Sequence, residues 1–145
     1  MRYQLLIGHL LPLFMGVMIY MLFRTENLIM FEWCNYLFMG ATIDFFREFT
    51  LSVRLLFPAW FLFSLPDGLW MFSYVSLILH IWNNEIKKQN LFWVISIPIV
   101  AILSELGQLL KIVPGTYDAI DLVFYFCGAI LPIIFFEKNT FKFSS

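Results

Sequence analysis

Along this chain the apolar positions collect into four long runs, residues 5–23, 65–82, 91–110 and 119–136, and the charged and amide side chains gather near their ends and in the gaps between them. Each run is close to the length of about 20 residues that a helix needs to cross the hydrocarbon of a bilayer. The pattern therefore predicts an all-α fold: a polytopic membrane helical bundle with four transmembrane helices. Between the first and second runs lies a stretch, 24–64, that fits neither a span nor a soluble segment. Its first part, 28–43, is apolar but interrupted by Glu32 and Asn35; Asp44-Phe-Phe-Arg-Glu48 is a charged junction; 51–65 is apolar but short, and contains Arg54 and Pro58. Such segments lie in the interface or re-enter the membrane more often than they cross it, so 24–64 is expected to be interfacial or re-entrant. A fifth crossing at 51–65 is the alternative.

The punctuation between runs is specific. Pro66-Asp67-Gly68 predicts a turn that opens the second span, with Asp67 as its N-cap or first-turn acid. Pro114-Gly115 predicts the turn between the third and fourth spans. Trp60, Trp70, Trp82 and Trp93 fall near the proposed span ends, as an interfacial aromatic belt would. The 18 phenylalanines are read as lipid-facing or packing surface.

Composition agrees with this reading. Hydrophobic residues are 61% of the chain and charged ones 13%, against about 45–50% and about 25% in soluble domains. The 145 residues have room for a single membrane domain, 1–145, and no second one. A net charge of -1 argues against a nucleic-acid binder, which would show a basic face. The first run follows Arg2 with no small-residue cleavage site behind it, and is expected to be a retained helix. Cys34 and Cys127 have the spacing of neither a metal site nor a redox pair, and no cofactor is implied. With four spans and a cytoplasmic N-terminus, Arg2, Lys87, Lys88, Lys138 and Lys142 are inside and Arg24, Arg47, Arg54 and Lys111 outside. Lys87 and Lys88 occupy a short loop, which weighs toward both termini inside. The connection 111–118 then faces the outer side.

That connection carries the chemistry. Residues 91–104 before it and 122–136 after it have no charged side chain, yet Glu105, Gln108, Asp118 and Asp121 cluster between. A carboxylate at mid-bilayer costs about 2.5–3.5 kcal/mol on insertion scales. Glu105 and Gln108 share a helix face, and Asp118, Asp121, Tyr125 and Gly128 form one stripe of the next helix. A short turn makes the two helices antiparallel neighbours, so both polar faces meet at one end, and Gly128 permits close approach of another helix. Asp118 is also explained as a cap and Asp121 as a first-turn acid. Glu105 is not, because it sits near the negative end of its own helix. Asp67 is expected beside the cluster, with Arg54, or else Lys111, reaching it to pair with the acids.

Glu105-x-x-Gln108, Pro114-Gly115, and Asp121 with Gly128 seven residues on resemble the signature of the VanZ-like membrane family, and Asp67 is similar to the acid of that family's Asp-Lys-x-x-His element. The similarity covers roughly residues 66–132. It implies a handful of transmembrane helices in a bacterial plasma membrane and a link to resistance to the glycopeptide teicoplanin. Thr116 stands where the family has Arg, Tyr125 replaces Asn, Gly68 and either Met71 or Phe72 stand in place of Lys and His, and one residue is missing between Gly115 and Asp121. The family's cationic half is largely absent.

Among functions, an enzyme needs a nucleophile or activated water by the acids, but His9 and His80 fall at the opposite helix ends. A hard cation held by three acids without a spaced motif is a weak signal, and a transporter's internal repeat is missing. Binding of a lipid head group or cell-envelope component at the outer interface, through Glu105, Gln108, Asp118, Asp121, Asp67, Arg54 and Tyr125, asks least of the residues present. An intramembrane enzyme on a lipid-linked substrate and an accessory subunit docking a membrane protein partner are the alternatives.

Overall fold

The computed structural model describes residues 3–23, 32, 36–37 and 40–136. Among them every regular element is helical. We label the helices α1 (Gln4–Phe23), α2 (Gly40–Val53), α3 (Ala59–Ile81), α4 (Lys88–Leu109) and α5 (Ala119–Phe136). All but α2 are long and apolar enough to cross a membrane, which makes this a multi-pass membrane protein. At 14 residues α2 is too short. The expected positions of Arg2, Arg24, Cys34, Asn35, Lys138 and Lys142 lie outside the described residues.

Prolines shape α1 and α3. α1 starts as a π-helix over Gln4–Leu10, with the Leu11 N–H donating to the Leu6 carbonyl, and continues as an α-helix from Leu11. Pro12 accounts for the wide turn: its ring would strike the Gly8 carbonyl, and it has no N–H to offer there. Widening puts Gln4 and His9, five positions apart, about one turn apart on one face, and both reach α3.

Pro58 marks the true start of α3. The residue before it, Phe57, is extended (φ -99, ψ 136), and Pro58 itself caps the helix at φ -67, ψ 154, as the pre-proline clash dictates. The segment 51–65 is thereby divided among the end of α2, a 3-10 turn at Arg54–Leu56, this extended break and the first turns of α3. It makes no fifth crossing. Pro66 lies inside α3, so the expected turn at Pro66-Asp67-Gly68 is corrected. A proline costs a soluble helix several kcal/mol, but spans tolerate it because neighbouring helices re-satisfy the freed backbone groups. Asp67 is consequently no N-cap; it sits more than two turns into the span. Trp70 moves inward with it, its ring against Gly16 and 5.1 Å from that of Tyr20, and is not a belt residue.

α3 is the central helix, packed on α1 along one side and α5 along the other, with α4 touching both α3 and α5 more lightly. The α3–α5 crossing is close because two glycines meet there. A Cβ on Gly128 would collide with the Gly68 carbonyl, and one on Gly68 would come within 2.9 Å of the Phe124 ring. At the opposite end of the bundle Val75, Leu79, Ile86 and Val94 form a buried apolar cluster under the α3–α4 turn. That turn passes through Asn83 and Asn84 in the left-handed region (φ 56 and 63), where asparagine is among the few side chains that fit comfortably.

Candidate functional site

The third and fourth spans end and begin around a tight connection. α4 terminates on Lys111 in the left-handed conformation (φ 57), with Ile112 N–H donating to the Gly107 carbonyl at 2.8 Å and Lys111 N–H to that of Gln108 at 3.0 Å. This pair of bonds is a Schellman closure, which normally uses glycine at the left-handed position. The chain then turns at Pro114-Gly115. Gly115 has φ +140, and a Cβ there would fall 2.7 Å from the Gln108 side-chain amide carbon. The Gln108 amide therefore lies flat against the turn. No other residue type serves at 115 without displacing it.

Glu105 faces protein. It is 5% exposed, and its Oε2 accepts the backbone N–H of Asp118 at 3.4 Å. Asp118 has two roles at once: its N–H points at Glu105 while its own Oδ1 accepts the Ile120 N–H at 2.8 Å, the N-cap bond of α5. Asp121, in the first turn of α5, lies close enough to act electrostatically on Glu105, as does Asp118. Its Oδ1 is buried and has no hydrogen-bond partner among the described residues. Tyr125, one turn further on, lies within hydrogen-bonding reach of Asp67 and in the field of Glu105 and Asp121. The glycine crossing explains the reach of Asp67, since it precedes Gly68 on α3 as Tyr125 precedes Gly128 on α5. Glu105, Asp118, Asp121, Asp67 and Tyr125 are thus brought together, with Gln108 bracing the turn beside them.

The expected cations do not join. The guanidinium of Arg54 lies over the Phe63 ring, 6.0 Å from its centroid, and among the described residues neither Arg54 nor Lys111 forms an ion pair with the cluster. The earlier start of α3 is the reason for Arg54: it stays with the first turns of the helix while Asp67 is carried about 6 Å deeper, one turn past Phe63. Lys111 projects outward from its left-handed position and is exposed.

A second polar network holds the other end of the bundle. The amides of Gln4 and Asn84, each 7% exposed, exchange hydrogen bonds of 2.6 and 2.9 Å. His9 Nδ1 lies 2.7 Å from Ser73 Oγ and 3.3 Å from the Ser73 carbonyl, and Ser73 Oγ donates to the His9 carbonyl at 3.1 Å. The carbonyl can only accept, so Nδ1 carries the proton and donates, and His9 is no base for Ser73. This network was missed from sequence: its partners are 64 to 80 positions apart, and the only local signal was Asn83-Asn84 after an apolar run. Gly68 was missed too, hidden inside what reads as a turn.

Among the described residues no group of His, Cys, Asp or Glu is arranged to hold a metal ion. Compared with protein families, curated proteins and solved structures, the chain matches none.

Proposed function

We propose that this multi-pass protein resides in a bacterial plasma membrane and binds the polar head group of a lipid or cell-envelope component at the outer face, through the cluster of Glu105, Asp118, Asp121, Asp67 and Tyr125. The observation that carries the reading is the burial of Glu105 beside Asp118 and Asp121 at the end of a span whose one other charged residue, Lys88, lies at the opposite end. Burying one carboxylate beside two others is unfavourable, and such an arrangement is retained where function requires it. Ionised carboxylates only accept hydrogen bonds, so the complementary ligand brings donors: an ammonium group or a set of hydroxyls. The positive-inside balance supports an outward cluster. The resemblance of Glu105-x-x-Gln108, Pro114-Gly115 and Asp121 to the VanZ-like pattern supports a role in cell-envelope stress and a link to teicoplanin sensitivity.

The test compares a deletion strain carrying the native chain, Glu105→Gln or Asp121→Asn. Teicoplanin sensitivity is measured in cells, and the lipids retained by the purified proteins are identified by mass spectrometry. Both variants are expected to behave as the deletion and to lose a lipid that the native chain retains. Wild-type behaviour of both in both assays overturns the reading.

A further inference from the structure

The short helix α2 has three unlike faces. Ile43, Arg47 and Thr50 face α1: Ile43 packs with Met21, Arg47 Nη1 donates to the Met21 carbonyl at 2.7 Å, and Thr50 Oγ1 donates to the Leu22 carbonyl at 3.1 Å. Phe45, Phe46 and Phe49 form a second stripe, 73%, 54% and 73% exposed. Asp44 and Glu48, one turn apart and exposed, form a third. At 3.6 residues per turn the three stripes are separated by roughly 120°. No single solvent suits both free faces. A crossing helix would carry its acids into hydrocarbon, and a helix in water would expose three phenylalanines side by side.

The depth of α2 follows from its partners. The carbonyls it engages belong to Met21 and Leu22, in the final turn of α1, where a cationic side chain is favoured by the helix dipole and by unmet carbonyls. α2 is therefore fastened at the end of a span. We propose that α2 lies in the plane of the membrane boundary as an interfacial helix, with Phe45, Phe46 and Phe49 seated in the lipid and Asp44 and Glu48 turned to water. Leu55 and Leu56, 95% and 79% exposed, add apolar surface past its C-terminus, and Trp60 follows in the first turn of α3. Common interfacial helices present Lys or Arg on the polar face and prefer anionic lipid. This one presents carboxylates, so its hold is apolar and gains nothing from anionic head groups.

Single nitroxide labels at 44, 45, 46, 48 and 49 test this in the full chain, with Cys34 and Cys127 replaced by serine, reconstituted in phosphatidylcholine vesicles with and without phosphatidylglycerol. Labels at 45, 46 and 49 are expected to collide with oxygen several-fold more than with a water-soluble nickel chelate. Those at 44 and 48 show the reverse, and added phosphatidylglycerol changes neither. As a measurement free of labels, the fluorescence that Phe46→Trp adds to that of the five native tryptophans should be quenched by lipids brominated high on their acyl chains. A depth that rises steadily from one end of α2 to the other, marking a re-entrant helix, or nickel access at all five positions with no quenching at 46, overturns the proposal.

Discussion

At the scale of single residues, the site depends on which side chains are small as much as on which are charged. Gly128 meets the Gly68 carbonyl with no room for a methyl, so Gly128→Ala must push α5 from α3. Forced overpacking costs about 1–3 kcal/mol; thermal unfolding in detergent should show the loss, and ligand retention should fall with it because Tyr125 leaves Asp67. Glu105→Gln should do the opposite to stability. Its amide oxygen still accepts the Asp118 N–H, and one charge is removed from beside Asp118 and Asp121. The unfolding midpoint is expected to be unchanged or higher while function is lost, a separation that follows when a site is held against its own repulsion. Lys111→Gly tests the neighbouring turn. A non-glycine residue in the left-handed region costs roughly 1–2 kcal/mol, so glycine should raise the midpoint and leave envelope sensitivity unchanged, Lys111 having no part in the cluster.

Helices are the scale at which the sequence was most legible. Four runs of hydrocarbon length gave four spans, and the unfavourable position of Glu105 in its own helix pointed to a protein-facing acid. The second span was read six residues late, because Pro66-Asp67-Gly68 has the composition of a turn. In water that reading is sound; inside a packed bundle the backbone gap at Pro66 is covered and the helix runs through it. The same error carried Arg54 into the cluster and Trp70 to the interface. The contact between Gln4 and Asn84 had no local signature, since α1 reaches α3 this way only after Pro12 has widened its first turns. Asn84 gives a clean test of that strut. Asn84→Gly keeps the left-handed backbone and loses the amide, leaving Gln4 Oε1 buried without its donor and Nε2 with only the Ser76 carbonyl at 3.4 Å, at a cost of about 1–3 kcal/mol. Asn84→Ala loses the amide and strains the backbone as well, and should unfold at a lower temperature than the glycine variant.

Across the whole molecule the two ends differ in charge. Asp67, Glu105, Asp118 and Asp121 gather at the end where α3 and α5 begin, and Lys87 and Lys88 stand in the turn at the other. If the lysine end is cytoplasmic, single cysteines placed at Thr116 and Lys87, in a background without Cys34 and Cys127, should respond differently to a membrane-impermeant maleimide in intact cells. Position 116 is expected to label and 87 to label only after lysis.

The burial of Glu105 also bears on how the chain enters a membrane during its synthesis. α4 makes few contacts of its own with α3, and the groups around Glu105 reside on residues 118 and 121, in the connection and the first turn of the following helix. When α4 leaves the ribosome its carboxylate has neither neighbour. Alone in hydrocarbon it would carry the full insertion penalty of an acid, about 2.5–3.5 kcal/mol if it sat at the centre. Its position near the helix end lets it wait at the head-group level until 118–136 arrives. α4 and α5 thus enter as one hairpin, and a chain truncated after residue 110 should hold α4 in the translocation machinery or surrender it to proteolysis.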